Sequence, residues 1–397
     1  MSNRLFVTGM FRSGTTLLAR MLHTHDEIAC ASDPYRPFFN CFRDTVADDC
    51  GIDVNAYDPL GDYFADDTQL QLYDAIQSAT LDRSFSDEER DRLYDRIESH
   101  GTPFSPRIYE EVDEIRGETF HEVYEHLLSA VPVCYGDGDE SWHATKEVWT
   151  TEFTPVLHES FPDARFIHVV RDPRAVCASK NVQERSKYPW LFLIRQWRKL
   201  ATLARAYDRH HPVQDQVLVV RYEDLVSEPR ATAERMYEFL GIGMDEETLN
   251  PANFVDGSGD QWLQNTSYDE SDPSWDTSSI DKWRTVLADR DVAFIEQLCY
   301  PELLVHGYEP DADSYGLTEP QVRDPPQLST EELADWITPY YDDWDRFDHV
   351  RAAGMERTRQ RLLDADQATF DAVDDDFVRG LFLDRAYATT ARTHVNQ

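Results

Sequence analysis

Short apolar runs alternate with helix-like stretches along the first part of the chain. Arg4–Thr8, Arg165–Val170 and Gln216–Val220 are apolar runs with the length of buried strands. From Thr15 onward the apolar positions fall on one face of a helix, and a second helical pattern covers Thr232–Leu240. Strands separated by helices require crossover connections, which are right-handed. The pattern therefore predicts an α/β fold with a parallel β-sheet flanked by helices.

An acidic region interrupts this alternation between residues 33 and about 140. Helical patterns occur near Asp67–Gln77 and Glu118–Ala130, and Pro and Gly turns separate them. We expect a helical insertion at about 40–140 that shapes one side of a binding site.

The composition changes again beyond about Pro310. The Pro-bearing stretch Thr318–Leu328 has the character of a linker, and Thr330–Ala388 contains helical patterns. The sequence thus predicts one domain over residues 1–310, followed over 311–397 by a linker and a C-terminal helical extension. We expect the extension to serve packing, or to join two copies of the chain, rather than to form a second catalytic domain.

The net charge of the chain limits the classes of molecule that it can bind. Its 397 residues include 76 acidic and 38 basic side chains, for a net charge of −38, so binding to nucleic acid or to an anionic lipid surface is disfavoured. Only five of the basic residues are lysines. This composition resembles that of proteins from extreme halophiles, where molar salt screens the repulsion between surface carboxylates. An acidic protein from an ordinary habitat is the alternative.

Cysteine spacing and hydropathy argue against a zinc site, a disulfide framework and a transmembrane segment. The six cysteines include no C-x-x-C pair and have no histidine at metal-ligand spacing, so neither a zinc site nor a disulfide framework is predicted. No stretch approaches 18 uninterrupted apolar residues, and the N-terminus has no basic leader. We expect a cytoplasmic protein without a transmembrane segment.

The first strand leads into a glycine-containing loop, Gly9–Thr16. Its sequence has the G-x-x-x-x-G-x-[ST] frame of a phosphate-binding loop, with Thr15 in the place of the usual lysine and Arg12 as the cation. Glycines allow backbone N–H groups to turn toward an anion, and the following helix adds its positive end. The alternative is an ordinary turn rich in small residues. The sheet is accordingly expected to be P-loop-like.

The loop resembles that of sulfotransferases that use 3′-phosphoadenylyl sulfate (PAPS). Their 5′-phosphosulfate loop commonly reads R/K-S-G-T-T-L/W, and this chain has R-S-G-T-T-L from Arg12 to Leu17. A second family element is a strand ending in Arg with a Ser eight positions later, matched here by Arg171 and Ser179. The resemblance covers roughly residues 4–300, leaves 40–140 unmatched and excludes the C-terminal tail.

The resemblance assigns cofactor contacts residue by residue. It implies that the 5′-phosphosulfate is bound by five consecutive loop residues: Arg12, Ser13, Gly14, Thr15 and Thr16. Arg171 and Ser179 would hold the 3′-phosphate, for which the forked guanidinium of an arginine is well suited. For Arg171 alone, a surface ion pair with Asp172 is the alternative.

Two later positions also match the family. Tyr222 follows the third predicted strand, at a position that lies near the adenine in relatives; packing in the core is an equally good interpretation. The segment Ser279–Arg284 resembles the last cofactor element, and Lys282 is its candidate contact. Here the chain has Asp281 and Lys282, where many relatives carry Gly and Arg.

Sulfuryl transfer should resemble phosphoryl transfer in its in-line attack and loose transition state. The transferred group carries less negative charge than a phosphoryl group, so cationic side chains can replace a metal ion. We therefore expect no essential metal. Arg12 would stabilise the leaving 5′-phosphate. Lys146 matches a family lysine that reaches the phosphosulfate, with a surface lysine as the alternative.

A general base must remove the proton of the acceptor hydroxyl. Asp33 lies 21 residues after Arg12, where tyrosylprotein and carbohydrate sulfotransferases carry a glutamate. His143 is the second candidate, because the small-molecule branch of the family uses a histidine. Asp33 is preferred.

These residues predict a sulfotransferase that moves a sulfuryl group from PAPS to a hydroxyl, with a glycan or glycolipid as the expected acceptor. If His143 is the base, a small-molecule acceptor fits better. Two alternatives remain: a P-loop kinase-like phosphotransferase that uses ATP and Mg²⁺, and a nucleotide-binding interaction protein.

Overall fold

The structure is a computed structural model in which the chain forms two compact units. It describes residues 3–54, 67–179, 182–183, 190–262, 275–311, 355–356 and 358–396. The sheet unit consists of the described residues within Met1–Pro59, Gln71–Arg171 and Pro212–Thr277. The helical unit consists of those within Leu60–Leu70, Asp172–His211 and Ser278–Gln397. The units thus interleave along the chain, and the domain boundary expected near residue 310 stays a prediction.

Five parallel strands form the sheet, in the order β2-β3-β1-β4-β5. Their bounds are β1 Asn3–Gly9, β2 Ile28–Ser32, β3 Trp142–Val148, β4 Arg165–Val170 and β5 Val217–Arg221. β1, β4 and β5 are the three strands predicted from apolar runs. The prediction of a parallel α/β fold is confirmed.

The sequence did not reveal β2 and β3. A strand buried on both faces of a parallel sheet is expected to be apolar almost throughout. β3 instead contains Thr145, Lys146 and Glu147, all of them at most 2% exposed. Polar residues at the end of a buried strand break the hydrophobic pattern, and such breaks are expected at functional sites.

Helices cover the sheet and fill the predicted insertion. Those wholly or mostly in the sheet unit are α1 Thr15–His23, α2 Arg36–Cys50, α3 Asp67–Ser78, α4 Asp87–Gly101, α5 Pro106–Glu111, α6 Phe120–Tyr135, α7 Thr154–Ser160, α10 Tyr222–Ser227 and α11 Pro229–Leu240. Five of them, α2 to α6, lie between β2 and β3, which confirms the helical character of the insertion. Short 3₁₀ turns occupy Thr151–Phe153, Gln214–Gln216, Glu246–Leu249 and Pro251–Asn253.

The core beneath the first loop anchors it. Leu18, Met21 and Leu22 of α1 are fully buried and pack with Leu5 and Val7 of β1. These are the positions that the helical periodicity places on one face. Because β1 and α1 are both anchored, the loop between them is held at both ends.

The helical unit contains the C-terminal helices that the sequence predicts. Its helices are α8 Pro173–Cys177, α9 Trp190–Arg209, α12 Ser278–Asp281, α13 Trp283–Val286, α14 Asp289–Val305, α15 Gln367–Ala372, α16 Asp375–Phe382 and α17 Arg385–Val395. α14 packs against both α9 and α17. The predicted linker Thr318–Leu328 lies outside the described residues.

Buried ion pairs join the helices of this unit. Arg198 pairs with Glu356, and Arg359 pairs with Glu302 and, at 3.0 Å, with Glu356. All four side chains are at most 1% exposed. Each guanidinium therefore has a carboxylate from its own unit.

Two further expectations can be compared with the described part of the chain. None of its helices is both long enough and apolar enough to cross a membrane. All six cysteines are free thiols, and five of them are buried.

Candidate functional site

The loop Gly9–Thr16 connects β1 to α1 in an unusual backbone conformation. Arg12 has a φ of 69° and Gly14 a φ of 91°, both in the left-handed region. A Cβ added to Gly14 would lie 2.2 Å from Cδ2 of Tyr222, so only glycine fits there. No described side chain caps the start of α1 at Gly14. The first N–H groups of that helix are thus suited to bind an anion.

Ser13 shapes this loop from within. It is fully buried, and both its backbone N–H (3.1 Å) and its hydroxyl donate to the carbonyl of Met10. These bonds give Ser13 a structural role in the loop. Its contact with a nucleotide stays a prediction.

Arg171 follows β4 directly and faces the loop. Its Nη1 donates to the carbonyl of Arg12 at 3.1 Å, and its guanidinium carbon lies 4.2 Å from the centre of the Tyr222 ring. Tyr222, directly after β5, is 3% exposed. Its ring is therefore buried, as expected for core packing, and it also lines the site, as contact with an adenine would require. Arg171 thus contacts both the loop and the Tyr222 ring.

Asp33 and Lys146 form a buried ion pair across the ends of β2 and β3. Lys146 is fully buried, and its Nζ donates to Oδ2 of Asp33 and, at 3.3 Å, to the hydroxyl of Thr16. The other carboxylate oxygen of Asp33 accepts from the N–H of Val148 at 3.2 Å. The interpretation of Lys146 as a surface residue is wrong. The pair lies directly beside the phosphate loop.

Glu147 stabilises the turn that carries Asp33. Its carboxylate accepts a hydrogen bond from the N–H of Tyr35, and the side chain is 2% exposed. Burial, and next the nearby charge of Asp33, raise the pKa of Glu147 well above its usual range. Sequence reasoning missed this residue, because a glutamate in an undetected strand gives no signal.

The ends of all five strands surround one cavity of about 600 Å³ in the sheet unit. Ligand sites of open parallel sheets lie at this edge, and the volume is in the range of small-molecule sites. One group of lining residues comes from the loop and its neighbours: Arg12, Gly14, Thr15, Thr16, Arg171 and Tyr222. The other comes from the second turn of α1, the ends of β2 and β3, the insertion and the segment before residue 263: Arg20, Asp33, His100, Phe104, Lys146 and Trp262. We call these groups the donor side and the acceptor side.

His100 and Arg20 are cavity residues that sequence reasoning missed. His100 stands near the end of α4, and burial, assisted by Arg36, lowers its pKa to about 4. The imidazole is therefore neutral at pH 7. Neither residue belongs to a motif, and only the folded insertion brings His100 to Asp33.

His143 lies outside the described cavity lining. It stands three residues before Lys146 on β3, about 10 Å away along the strand. Its Nδ1 is 2.9 Å from Nη1 of Arg4, and burial and Arg4 both lower its pKa. This geometry favours Asp33 as the base.

Ser179 and Lys282 belong to the helical unit. Ser179 is 6% exposed, and its hydroxyl has no hydrogen-bond partner among the described residues. Lys282 is exposed at the start of α13. Their contacts with the 3′-phosphate and with the nucleotide stay predictions.

The chain is similar to one protein family and to several curated proteins. The model of the "Sulfotransferase family" matches residues 4–246, which is more than half of the chain. Human carbohydrate sulfotransferase 2 is 30% identical over 198 residues, which cover 39% of this chain and 37% of the relative. Carbohydrate sulfotransferase 3 of Tetronarce californica is 29% identical over 189 residues, or 40% of this chain and 39% of the relative. The match thus spans about two fifths of each curated relative.

Solved structures of sulfotransferase domains are also similar. The domain from the curacin biosynthetic pathway is 18% identical, with a TM-score of 0.42, over 78% of this chain and 99% of that domain. The domain from the Synechococcus PCC 7002 olefin synthase is 20% identical, with a TM-score of 0.41, over 74% of this chain and 93% of that domain. The family model, whose match includes the phosphate loop, Asp33, Lys146 and Arg171, establishes that this chain belongs to the sulfotransferase family.

Proposed function

We propose that this enzyme transfers a sulfuryl group from PAPS to a hydroxyl of a carbohydrate and releases adenosine 3′,5′-bisphosphate. One observation carries the proposal: the phosphate loop, Arg171 and the Asp33–Lys146 pair meet at one edge of the sheet. Each element has a separate task in such a transfer. Together they provide for the donor, for the transferred group and for the proton.

The donor side fits the anionic nucleotide. The uncapped start of α1 and Arg12 would hold the 5′-phosphosulfate, since N–H groups and a cation converge there. Arg171 would hold the 3′-phosphate, and the adjoining Tyr222 ring would contact the adenine. The cradle at Gly14, where a Cβ would strike Tyr222, lets the loop backbone approach the ligand closely.

The Asp33–Lys146 pair stands where the sulfuryl group would leave the loop. PAPS supplies an activated sulfuryl group with a good leaving group. Lys146, 3.3 Å from the Thr16 hydroxyl, would stabilise negative charge at the transferring group, and Arg12 would stabilise it on the leaving phosphate. Asp33 would accept the proton of the attacking hydroxyl through the lone pairs that Lys146 and Val148 leave open.

The carbohydrate acceptor is supported by the type of base and by the relatives. Asp33 occupies the position of the glutamate in the carbohydrate and tyrosylprotein branches, and it lines the cavity, whereas His143 does not. The curated relatives described above are named carbohydrate sulfotransferases. Both points favour a glycan or glycolipid hydroxyl over a small-molecule acceptor.

Calorimetric titration of the purified protein tests the proposal. Adenosine 3′,5′-bisphosphate should bind without a metal, whereas ATP with Mg²⁺ should bind much more weakly. Tighter binding of ATP with Mg²⁺ would support a kinase-like phosphotransferase instead. Binding of adenosine 3′,5′-bisphosphate without any transfer from PAPS to a glycan panel would favour a nucleotide-binding interaction protein.

A further inference from the structure

Arg20 is a buried cation in the wall of the cavity. It stands four residues after Thr16 on α1 and is 6% exposed. Side chains of a helix lean toward its N-terminus, so Arg20 leans toward the strand edge where Thr16 lies. The cavity lining includes it.

The guanidinium of Arg20 has no partner among the described residues. It forms no ion pair and no hydrogen bond with them, and its Nε is completely buried without a hydrogen bond. Asp256 is an electrostatic neighbour, but its Oδ1 accepts from the N–H groups of Ser258 (2.8 Å) and Asp260 (3.2 Å) in its own loop. Burial lowers the pKa of Arg20, and Cys30 and Asp256 only partly oppose this.

A buried cation without a counter-charge destabilises a folded protein. Lys146, another buried cation at this edge of the sheet, is paired with Asp33. Lys146 thus has a counter-charge, whereas no described residue forms an ion pair with Arg20. An anion from outside the chain would remove the cost.

We propose that Arg20 binds an anionic group of the acceptor, a carboxylate or a sulfate ester, and so selects an acidic carbohydrate. The proposal rests on the proposed function and names the acceptor class of the same site. A guanidinium matches both groups, because each presents two coplanar oxygens to its fork.

The acceptor rather than the donor is assigned to Arg20 by its surroundings. The donor has its own cations, Arg12 and Arg171, at the loop. The electrostatic neighbours of Arg20 include Asp256 and Asp33, which line the cavity away from the phosphate loop, on the acceptor side. An acceptor anion held there keeps the rest of the acceptor within reach of Asp33.

The test uses the protein saturated with adenosine 3′,5′-bisphosphate, so that the phosphate loop is occupied. Three matched probes are titrated at one fixed salt concentration: methyl β-D-glucuronide, methyl β-D-glucoside 6-sulfate and the neutral methyl β-D-glucoside. The wild type should bind at least one anionic probe about 10- to 100-fold more tightly than the neutral one, as expected for charge-assisted hydrogen bonds. The preferred probe distinguishes a carboxylate from a sulfate ester.

Arg20→Met should abolish this preference, and Arg20→Lys should retain part of it. Arg20→Met should also keep the wild-type affinity for adenosine 3′,5′-bisphosphate and should not lower the melting temperature, since it removes an uncompensated charge. A purely structural role predicts a lower melting temperature instead.

Four results would overturn the assignment: no preference for an anion in the wild type, a preference that survives Arg20→Met, a lower melting temperature of Arg20→Met, or a loss of its nucleotide affinity. Failure of the wild type to bind adenosine 3′,5′-bisphosphate would contradict the proposed function itself. The two failures are therefore distinguishable.

Discussion

Three buried arginines of the helical unit differ in their partners from Arg20 of the sheet unit. In the helical unit, Arg198 and Arg359 each pair with glutamates of the same unit, and Arg174 pairs with Asp172 and Glu296. In the sheet unit, Arg20 has no ion-pair partner among the described residues, and it lines the cavity. Removing one partner of a buried pair is costly, whereas removing an uncompensated charge is not. The ion pairs of the helical unit thus stabilise the fold, whereas at the cavity of the sheet unit Lys146 is paired with the candidate base Asp33 and Arg20 is available to a ligand.

The largest expected effect tests a charge of the sheet unit. Asp33→Asn keeps the shape of the side chain and one acceptor oxygen, enough for one of the two hydrogen bonds from Lys146 and Val148, and removes the basic carboxylate. Turnover should fall by about 10²–10⁴-fold, with nucleotide binding unchanged. The measurement is the initial rate of sulfuryl transfer from PAPS under saturating nucleotide.

His143→Asn is the matched control for this prediction. Because His143 lies outside the described cavity lining, the variant should retain turnover. An inactive His143→Asn beside an active Asp33→Asn would assign the base to His143 and favour a small-molecule acceptor.

In the helical unit, the loss of a charge is expected to lower the stability of the protein. Glu356→Gln leaves Arg198 and Arg359 without a carboxylate that both now contact. The free energy of unfolding should fall by about 3–5 kcal/mol. Urea unfolding at constant salt measures the change, with Arg20→Met as the matched variant. A loss of stability in Arg20→Met as large as that in Glu356→Gln would remove the distinction between the two units.

Arg12→Ala tests the role of the loop cation on the donor side of the cavity. One contact to charge that develops in the transition state contributes about 10²–10³-fold in rate at comparable sites. Turnover should fall by that factor, while the far-ultraviolet circular dichroism of the variant stays that of the wild type. Wild-type turnover in Arg12→Ala would remove this residue from the mechanism.

Salt should change the stability of the protein least per residue, and it should act through the exposed charges. The acidic, lysine-poor composition predicts that the melting temperature rises between low and molar KCl, as repulsion between surface carboxylates is screened. Buried pairs such as Arg359–Glu302 are screened much less. The stability difference between Glu356→Gln and the wild type should therefore persist in molar KCl. A melting temperature that does not change with salt would contradict the halophilic interpretation.

The donor side could be predicted from the sequence because it is local. The loop, its strand and its helix are consecutive, and Arg171 directly follows an apolar strand. Glycine positions and the displaced cation Arg12 therefore appear as a contiguous pattern. The structure accordingly places Arg12 and Arg171 beside one another, with Arg171 donating to the Arg12 carbonyl.

The acceptor side could be predicted only in part. Asp33 and Lys146 were found through their family positions, but the strand carrying Lys146 was missed because its buried end is polar. His100 comes from the insertion, which matches no family motif. Arg20 is a single basic residue on an amphipathic helix, and no pattern separates it from a surface arginine. Such residues become visible only when burial and missing partners are known.

Whether the site holds the 3′-phosphate of the donor is decided by titrating two nucleotides into two proteins. Adenosine 3′,5′-bisphosphate and adenosine 5′-monophosphate differ only in the 3′-phosphate, and each is titrated into the wild type and into Arg171→Ala. If Arg171 holds the 3′-phosphate, the wild type should prefer the bisphosphate by about 10- to 100-fold, and Arg171→Ala should lose this preference. Equal affinities of the wild type for both nucleotides, or an unchanged preference in Arg171→Ala, would contradict this role of Arg171.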